Sequence, residues 1–247
     1  MKRTALVAVM ATIATLPVTP AGGSVLQYYC FSTAAPYHAY LQWRQPLPHA
    51  CDAGHVRAAL PGTTTQAIIV AAPSKASTYA SFTAYTKTGS SWVLQFGPWT
   101  ARVGASGMAS PGQKIEGDEL TPQGTYGFSF MFGVSANPGV KFSWRRAHTY
   151  DVWDDDPTSA RYNLWTSKLV HWPGRNPEPM HNVPAYNYAA VIAYNTARVP
   201  GMGSAIFLHV GTGSATGGCV SLPQAQLLQV IGWLDPATTP MITMAVA

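Results

Sequence analysis

The 247-residue sequence predicts a mainly β (α+β) fold with one short helix near its carboxyl end. Three observations indicate this class. Only 10% of the residues are charged, against roughly 25% in ordinary soluble domains. The 22 glycines and 20 prolines indicate many turns, and the apolar segments between them are short or alternate with polar residues. Because the hydrophobic content is 47% and no repeat occurs, one main globular domain is expected.

The β signals begin after residue 64 and consist of short apolar or alternating stretches bounded by turn residues. They are, in chain order, a buried strand at 66–72, a hairpin at 81–99 that turns at 88–90, a turn at 121–124, an aromatic strand at 126–134, a turn at 137–139, buried strands within 186–195 and 203–210, and a last strand at 241–246. Residues 141–188 lack a period, which predicts long loops lining a cleft.

One helix is predicted after residue 220. Ser221 is expected to cap it, with Pro223 in its first turn. The spacing of its leucines and isoleucine gives one apolar face for packing on the sheet. The residues of this face are Leu227, Leu228, Ile231 and Leu234.

Residues 1–23 have the pattern of a secretory signal peptide, with Lys2 and Arg3 before an apolar run and small residues. The sequence allows cleavage after Ala21 or after Gly23. A membrane anchor is disfavoured, since the apolar run is shorter than the ~20 residues that span a bilayer. We therefore expect an exported protein of the periplasm, the cell wall or the medium, without a transmembrane segment in the mature chain.

The net charge of +5 does not indicate a nucleic-acid-binding protein. Lys2 and Arg3 belong to the predicted leader, and removing these two of the 15 basic residues leaves an excess of +3 over the 10 acidic residues. No basic run follows, and the one dense charge cluster, Asp154–Asp156, is acidic. A nucleic-acid partner is therefore not expected.

The three cysteines predict one disulfide and one free thiol in an oxidising compartment. Cys30 and Cys51 lie close together in the sequence and Cys219 is remote, so Cys30–Cys51 is the simplest pairing. Residues 24–60 are then a small disulfide-closed N-terminal lead-in, and residues 61–247 form the main domain. The task of the lead-in cannot be read from its residues.

The segment HVGTGSATGGCVSLP, from His209 to Pro223, combines the groups that activate a cysteine nucleophile. An ordinary thiol has a pKa of about 8.5 and is mostly protonated at neutral pH. His209 at a strand end is a base for the Cys219 thiol, and a helix start near Ser221 would lower the pKa of that thiol further. Gly217 and Gly218 allow backbone N–H groups to surround an oxyanion.

These residues together predict acyl transfer through a thioester. The alternative is structural, since a free cysteine is often a buried small side chain and a strand histidine is often part of a core. A metal site is not expected, because no paired C-x-x-C or H-x-x-x-H spacing accompanies the two residues.

The segments IFLHV and TGGCVSLP resemble the signature of the L,D-transpeptidases of bacterial cell walls, the YkuD-type catalytic domain. The upstream EGDELTPQGTYGF and YAAVIAYN resemble two further strands of that family, and the matches span about residues 65–246. The resemblance implies a β-sandwich with a mixed sheet and a short helix after the nucleophile.

Carried over residue by residue, the resemblance implies that Cys219 is the nucleophile and His209 the general base and later acid. It assigns Thr216 and Gly218 to the Ser/Thr and Gly before the nucleophile, and the Val210 carbonyl to the orientation of His209. Two positions depart from the pattern of many members: Gly217 replaces a second histidine, and Ser221 replaces an asparagine. Any orienting role of that second histidine is absent here.

The resemblance further implies a two-step reaction on peptidoglycan stem peptides, without metal or organic cofactor. Cys219 would attack the carbonyl of an L-centre, usually of diaminopimelate, with release of D-alanine, and an amine or water would resolve the thioester. Carbapenem-type β-lactams are expected to acylate the same sulfur. The acyl acceptor and the oligomeric state cannot be read from the sequence.

Several other residues are weaker candidates. Tyr126, Tyr188 and Tyr194 are possible hydrogen-bond donors to substrate, although strand tyrosines are more often core. Arg145 and Arg146 are candidates for a stem carboxylate, but pairing with Asp154–Asp156 is preferred. The tryptophans are expected to pack under long loops rather than to stack on sugars, and two histidines are expected on surface loops. These residues are Trp144, Trp153, Trp165 and Trp172, and His171 and His181.

Two other classes of function fit the composition. An exported cysteine peptidase or amidase of the cell wall is one, but the common amidase pattern has the cysteine before the histidine, and here His209 comes first. A non-catalytic module that binds peptidoglycan is the other. The presence of both His209 and Cys219 argues against it.

Overall fold

A computed structural model describes residues 26–32, 39–43, 51 and 55–247. The predicted signal peptide, 1–23, and its two alternative cleavage sites lie outside these residues. No helix within the described ranges is long and apolar enough to cross a membrane.

The described residues form eighteen strands, one α-helix and one 3-10 turn. The strands are β1 Leu26–Ser32, β2 Ala39–Trp43, β3 His55–Pro61, β4 Gln66–Ala72, β5 Tyr79–Thr88, β6 Ser91–Arg102, β7 Gly107–Met108, β8 Leu120–Thr121, β9 Gly124–Tyr126, β10 Phe128–Gly133, β11 Trp144–Arg146, β12 Asp151–Asp154, β13 Leu164–Ser167, β14 Glu178–Pro179, β15 Ala189–Ile192, β16 Phe207–Val210, β17 Val220–Leu222 and β18 Met241–Val246. The helix α1 is Gln224–Trp233, and the 3-10 turn is Pro236–Thr238.

Thirteen of the described strands form one curled, mixed sheet, which confirms the predicted fold class. Its main path runs β11-β10-β15-β16-β17-β6-β5-β4-β18-β9. The pairs β10–β11, β16–β17 and β4–β18 are parallel, and the other pairs of this path are antiparallel. The short strands β12–β14 and β7–β8 form two small sheets beside it.

The strand at 66–72 and the hairpin at 81–99 are confirmed. Every residue of β4 is buried, because both of its faces are covered, and this explains its unbroken apolar run. Its alternate residues Ile68 and Val70 belong to the main core, whereas Ala67 and Ile69 belong to a second core on the opposite face. Strands β5 and β6 turn at Gly89, whose φ of 62° suits a glycine.

The N-terminal lead-in supplies that second core. Strand β1 pairs with β2 and β3, and its Tyr29 and Phe31 pack against Tyr85 and Trp92 of the hairpin. The predicted disulfide is confirmed: Cys30 and Cys51 are bonded, with Cα atoms 5.8 Å apart. The sequence shows no period in this segment, and its strands become recognisable only through their pairing.

Two segments differ from the prediction. The single strand predicted at 126–134 is divided at Gly127, because β9 pairs with β18 while β10 pairs with β15. The segment 141–188, predicted as loops, contains the short strands β11–β14. These strands have two to four residues each, which is too short for an alternating pattern to be detected.

The predicted helix is confirmed, but Ser221 does not cap it. Ser221 lies in β17, where it pairs with His209 of β16 and with Arg102 of β6, so its backbone is extended. The helix begins at Gln224 after Pro223, without a side-chain cap. Its buried side chains are Leu227, Val230 and Ile231; Leu234 follows it, also buried, and Leu228 is partly buried.

We predict that the disulfide contributes to the stability of the fold by about 3 kcal/mol, the value that chain entropy gives for closing a loop of this length. Replacing Cys51 with Ser should lower the free energy of unfolding by this amount in urea denaturation. Reducing agent should destabilise the wild type similarly and leave the variant unchanged. Equal stability of both proteins without reductant would contradict the prediction.

Candidate active site

The parallel pair β16–β17 brings the two central residues of the predicted site together. Leu208 pairs with Val220, and His209 pairs with Ser221. Since side chains alternate along a strand, Leu208 and Val220 enter the main core, while His209, Cys219 and Ser221 lie on the other face. All three of the latter line one cavity of about 580 Å³.

The backbone of Cys219 is held by two threonines. Thr216 Oγ1 and Thr121 Oγ1 donate hydrogen bonds to the Cys219 carbonyl, at 2.7 Å and 3.2 Å. Thr216 Oγ1 also accepts the Gly218 N–H at 3.2 Å, and Thr121 Oγ1 accepts the Gly104 N–H at 2.8 Å. Thr121 was predicted only as a turn residue, so its contact with Cys219 was missed.

The two glycines before Cys219 differ in what they require. Gly218 has a φ of 136°, and a Cβ atom there would lie 2.9 Å from the Leu120 carbonyl oxygen. A Cβ atom on Gly217 would meet nothing within 4 Å, so a side chain can be accommodated at that position. Of these two positions, only 218 therefore requires a glycine for its backbone conformation.

The Cys219 sulfur is free of disulfides and buried. Sγ donates to the Ala205 carbonyl at 3.2 Å and accepts the Phe207 N–H at 3.3 Å. Burial, together with the nearby charge of Glu178, raises the pKa of the thiol well above its ordinary value. The sequence predicted the opposite shift. The expected help from a helix start is absent, since α1 begins five residues later and a helix dipole acts only within its first turn.

His209 is a neutral imidazole with a defined tautomer. Nδ1 lies 2.9 Å from the Val210 carbonyl oxygen, the contact that the family resemblance implied. Because a carbonyl only accepts hydrogen bonds, the proton resides on Nδ1 and the lone pair on Nε2. Burial lowers the pKa of His209 to about 4, so the ring stays unprotonated and can accept a proton at neutral pH.

Tyr186 packs against this ring and was not predicted from the sequence. Its ring meets the imidazole edge-on, with centroids 5.5 Å apart and an angle of 89° between the planes. The Tyr186 hydroxyl donates to Glu178 Oε1. Tyr186 begins the segment 186–195 in which a strand was predicted, and no local pattern distinguishes it from Tyr188 and Tyr194 there.

The cavity carries a group of carboxyl side chains, Glu116, Asp155 and Glu178, which we call the acidic wall. The buried Ser204 Oγ lies 2.8 Å from Glu116 Oε2 and 3.0 Å from Asp155 Oδ1. Burial and the charge of Glu178 raise the pKa of Asp155 to about 8, and burial also raises the pKa of Glu178. The sequence analysis did not foresee this wall, although it expected the 141–188 segment to line a cleft.

The three candidate tyrosines do not line this cavity. Tyr126 and Tyr194 contact each other edge-on and line a separate cavity of about 290 Å³. Tyr126 OH donates to the Gln123 carbonyl at 2.7 Å, and Tyr194 OH donates to the Met202 carbonyl at 2.5 Å. Tyr188 packs on the main core beside Trp144. Packing in the core was the alternative interpretation of these three tyrosines.

The preferred pairing of Arg145 and Arg146 with Asp154–Asp156 is wrong, since no ion pair joins them among the described residues. The Arg145 guanidinium instead lies over the rings of Phe130 and Trp165. The three carboxyl groups have other partners. Asp154 and Asp156 accept backbone N–H groups of their own loop and of the segment at 174–175, and Asp155 belongs to the acidic wall. Neither arginine lines the cavity that Cys219 and His209 line.

The prediction for the aromatic and histidine residues is confirmed with one exception. Trp153 is buried and Trp165 packs beside it in the same cluster, while Trp144 packs on the main core. Both His171 and His181 are exposed. The exception is Trp172, which is 88% exposed and does not pack under a loop.

Comparison with known families identifies the class of protein to which this fold belongs, the L,D-transpeptidase catalytic domains. The family model of the YkuD L,D-transpeptidase catalytic domain matches residues 69–243, and the chain belongs to this family. Comparisons with curated proteins and with solved structures give no match.

We predict that Gly218→Ala destabilises the protein by about 1–3 kcal/mol, the cost of a strained backbone conformation, because of its φ and the Leu120 carbonyl. Gly217→Ala is the matched control and should change the free energy of unfolding by less than about 0.5 kcal/mol. Urea denaturation of both variants measures this. Equal losses at the two positions would show that the Gly218 conformation is not required.

Proposed function

We propose that the protein is a cysteine-dependent L,D-transpeptidase that acts on peptidoglycan stem peptides through a thioester. One observation carries the proposal: a free thiol, Cys219, and a neutral imidazole with its lone pair on Nε2, His209, open into the same cavity. Membership of the L,D-transpeptidase family supports the reaction class.

In the first step, Cys219 Sγ attacks the carbonyl carbon of the stem peptide at its L-centre, and His209 Nε2 takes the thiol proton. The Nδ1–H bond to Val210 stabilises the imidazolium that forms. The tetrahedral oxyanion then collapses, the peptide C–N bond breaks, and His209 returns the proton to the nitrogen of the leaving D-alanine. The product is a thioester of Cys219.

In the second step, an amine or water attacks the thioester carbonyl while His209 Nε2 accepts a proton from it. The C–S bond breaks, and the sulfur recovers its proton from His209. The new amide or acid is released and the free enzyme is regenerated. No metal or organic cofactor takes part in either step.

The resting pair is neutral, because burial disfavours both the thiolate and the imidazolium. The proton therefore moves as the sulfur attacks, and no stable ion pair precedes the reaction. Thr121 and Thr216 hold the Cys219 backbone during this motion through its carbonyl. The bond from Sγ to the Ala205 carbonyl must break before attack.

An exported location agrees with this activity. The peptidoglycan substrate lies outside the cytoplasm, and the Cys30–Cys51 bond belongs in an oxidising compartment. We therefore place the mature protein in the periplasm, in the cell wall or in the medium.

We predict that a carbapenem acylates Cys219 of the purified mature protein. Intact-mass spectrometry should show a mass increase equal to one carbapenem, and hydroxylamine should remove it, as expected for a thioester. Cys219→Ala should show no adduct. An unmodified wild type, or equal modification of the variant, would contradict the assignment of the nucleophile.

His209→Ala should slow this acylation by about 10²–10⁴-fold, the range for removing a general base. The exposed His181→Ala is the control and should react at the wild-type rate.

Below about pH 4 the wild-type rate constant for acylation should fall, since protonated His209 cannot accept a proton. A fall centred near pH 6.5, with the fold intact by circular dichroism, would show that the imidazole is not buried as described.

A further inference from the structure

The acidic wall has no role in the two steps above, although it lines the cavity that holds Cys219. Glu116, Asp155 and Glu178 come from three separate loops or strand ends and converge on this one surface. Lys114 also lines the cavity, but its ammonium is paired with Asp118 and bonded to the Ile115 carbonyl. Within the described part of the chain no ion pair joins a cation to the wall, which therefore has an excess of negative charge.

The position of Ser204 shows how closely these carboxyl groups lie. Its hydroxyl has one proton, yet its oxygen is within hydrogen-bond distance of both Glu116 and Asp155. One of the two carboxyl groups must therefore hold a proton or leave its contact with Ser204 unsatisfied. The raised pKa of Asp155 agrees with a retained proton at neutral pH. A bound cation would remove this conflict.

A second observation, independent of the carboxyl groups, indicates that a polar ligand enters the cavity. Ser221 is 1% exposed, and its Oγ has no hydrogen-bond partner among the described residues. Ser221 lies on the cavity face of β17, in register with His209. A buried hydroxyl without a partner is costly, so a ligand that supplies one gains affinity.

The chemistry of the wall favours an organic cation. Among the described residues, no group of three or more His, Cys, Asp or Glu side chains has a geometry that would hold a metal ion. A primary ammonium group has three N–H donors, which match several carboxyl oxygens and the Ser204 hydroxyl. The cavity volume of about 580 Å³ accommodates a peptide segment as well as such a group.

We propose that the acidic wall is a subsite for a primary ammonium group of the substrate and that Ser221 hydrogen-bonds a peptide group of the same substrate. This inference rests on the proposed function and adds a charge requirement to it. The ammonium group belongs either to the side chain of the acyl donor or to the amine acceptor. An acceptor bound there gives one proton to a carboxylate of the wall, and its neutral nitrogen then attacks the thioester.

A bound ammonium group would also affect the nucleophile. The charge of Glu178 and, more weakly, that of Asp155 add to the effect of burial in raising the pKa of Cys219. A cation between these carboxyl groups would offset their charge and ease the loss of the thiol proton. Substrate binding would thus assist the attack. Without substrate, the sulfur stays unreactive.

The test measures binding without turnover. Full-length mature Cys219→Ala protein is titrated by calorimetry with a stem tetrapeptide that has a free side-chain amine, and with the same peptide acetylated on that amine. We expect the free amine to bind about tenfold to a hundredfold more tightly, the range for a hydrogen bond to a charged group. Adding Glu116→Gln or Asp155→Asn should reduce this ratio, whereas Asp156→Asn should preserve it.

Asp156 is the matched control, because it loses the same charge one residue away but does not line the cavity. Ser221→Ala should weaken both peptides alike and leave the ratio unchanged. If the ratio is near one, the ammonium group does not come from the acyl donor. The amine acceptor is then tested in a second arm of the experiment. In that arm, Glu116→Gln or Asp155→Asn in the active protein should raise the KM of an amine acceptor about tenfold or more.

A ratio near one combined with an unchanged acceptor KM would overturn the subsite. Amine-selective binding in a protein whose wild type forms no carbapenem adduct would support the subsite and overturn the proposed function instead. Thermal melts of each variant check that the fold is retained, and two independent carboxyl variants guard against one that fails to fold.

Discussion

The parallel pairing of β16 with β17 is the constraint on which the site depends. This register places Leu208 beside Val220 in the core and leaves His209 and Cys219 on the opposite face. The burial of the apolar pair and of α1 behind it stabilises the register, since a shift by one residue would send the histidine into the core. The hydrophobic core thus sets the geometry of the polar site.

Contacts distant in sequence complete that geometry. Thr121 reaches the Cys219 carbonyl across 98 residues, and Gly218 approaches the backbone of Leu120 so closely that it has no room for a Cβ atom. Tyr186 meets the His209 ring from a third segment. Cys219 and His209 are therefore positioned by the packing of the whole sheet, as well as by their own loop.

Burial has two opposing effects at this site. It keeps His209 unprotonated and able to act as a base, but it also keeps the Cys219 thiol protonated. The acidic wall strengthens the second effect, because negative charge opposes a thiolate. A buried thiol that stays protonated reacts slowly, because the thiolate is the nucleophilic and easily oxidised form.

The sequence by itself determined the mainly β class, the hairpin, the helix, the disulfide and the family, because each depends on local spacing or on cysteine count. His209 and Cys219 were predicted as site residues in the same way, within one short segment. Only the tertiary structure decided that Ser221 is a strand residue, that the sulfur is buried and protonated, and that Tyr186 and the acidic wall face the site. These features come from segments far apart in the chain, and both burial and electrostatic environment depend on which segments meet, a property that no local pattern encodes.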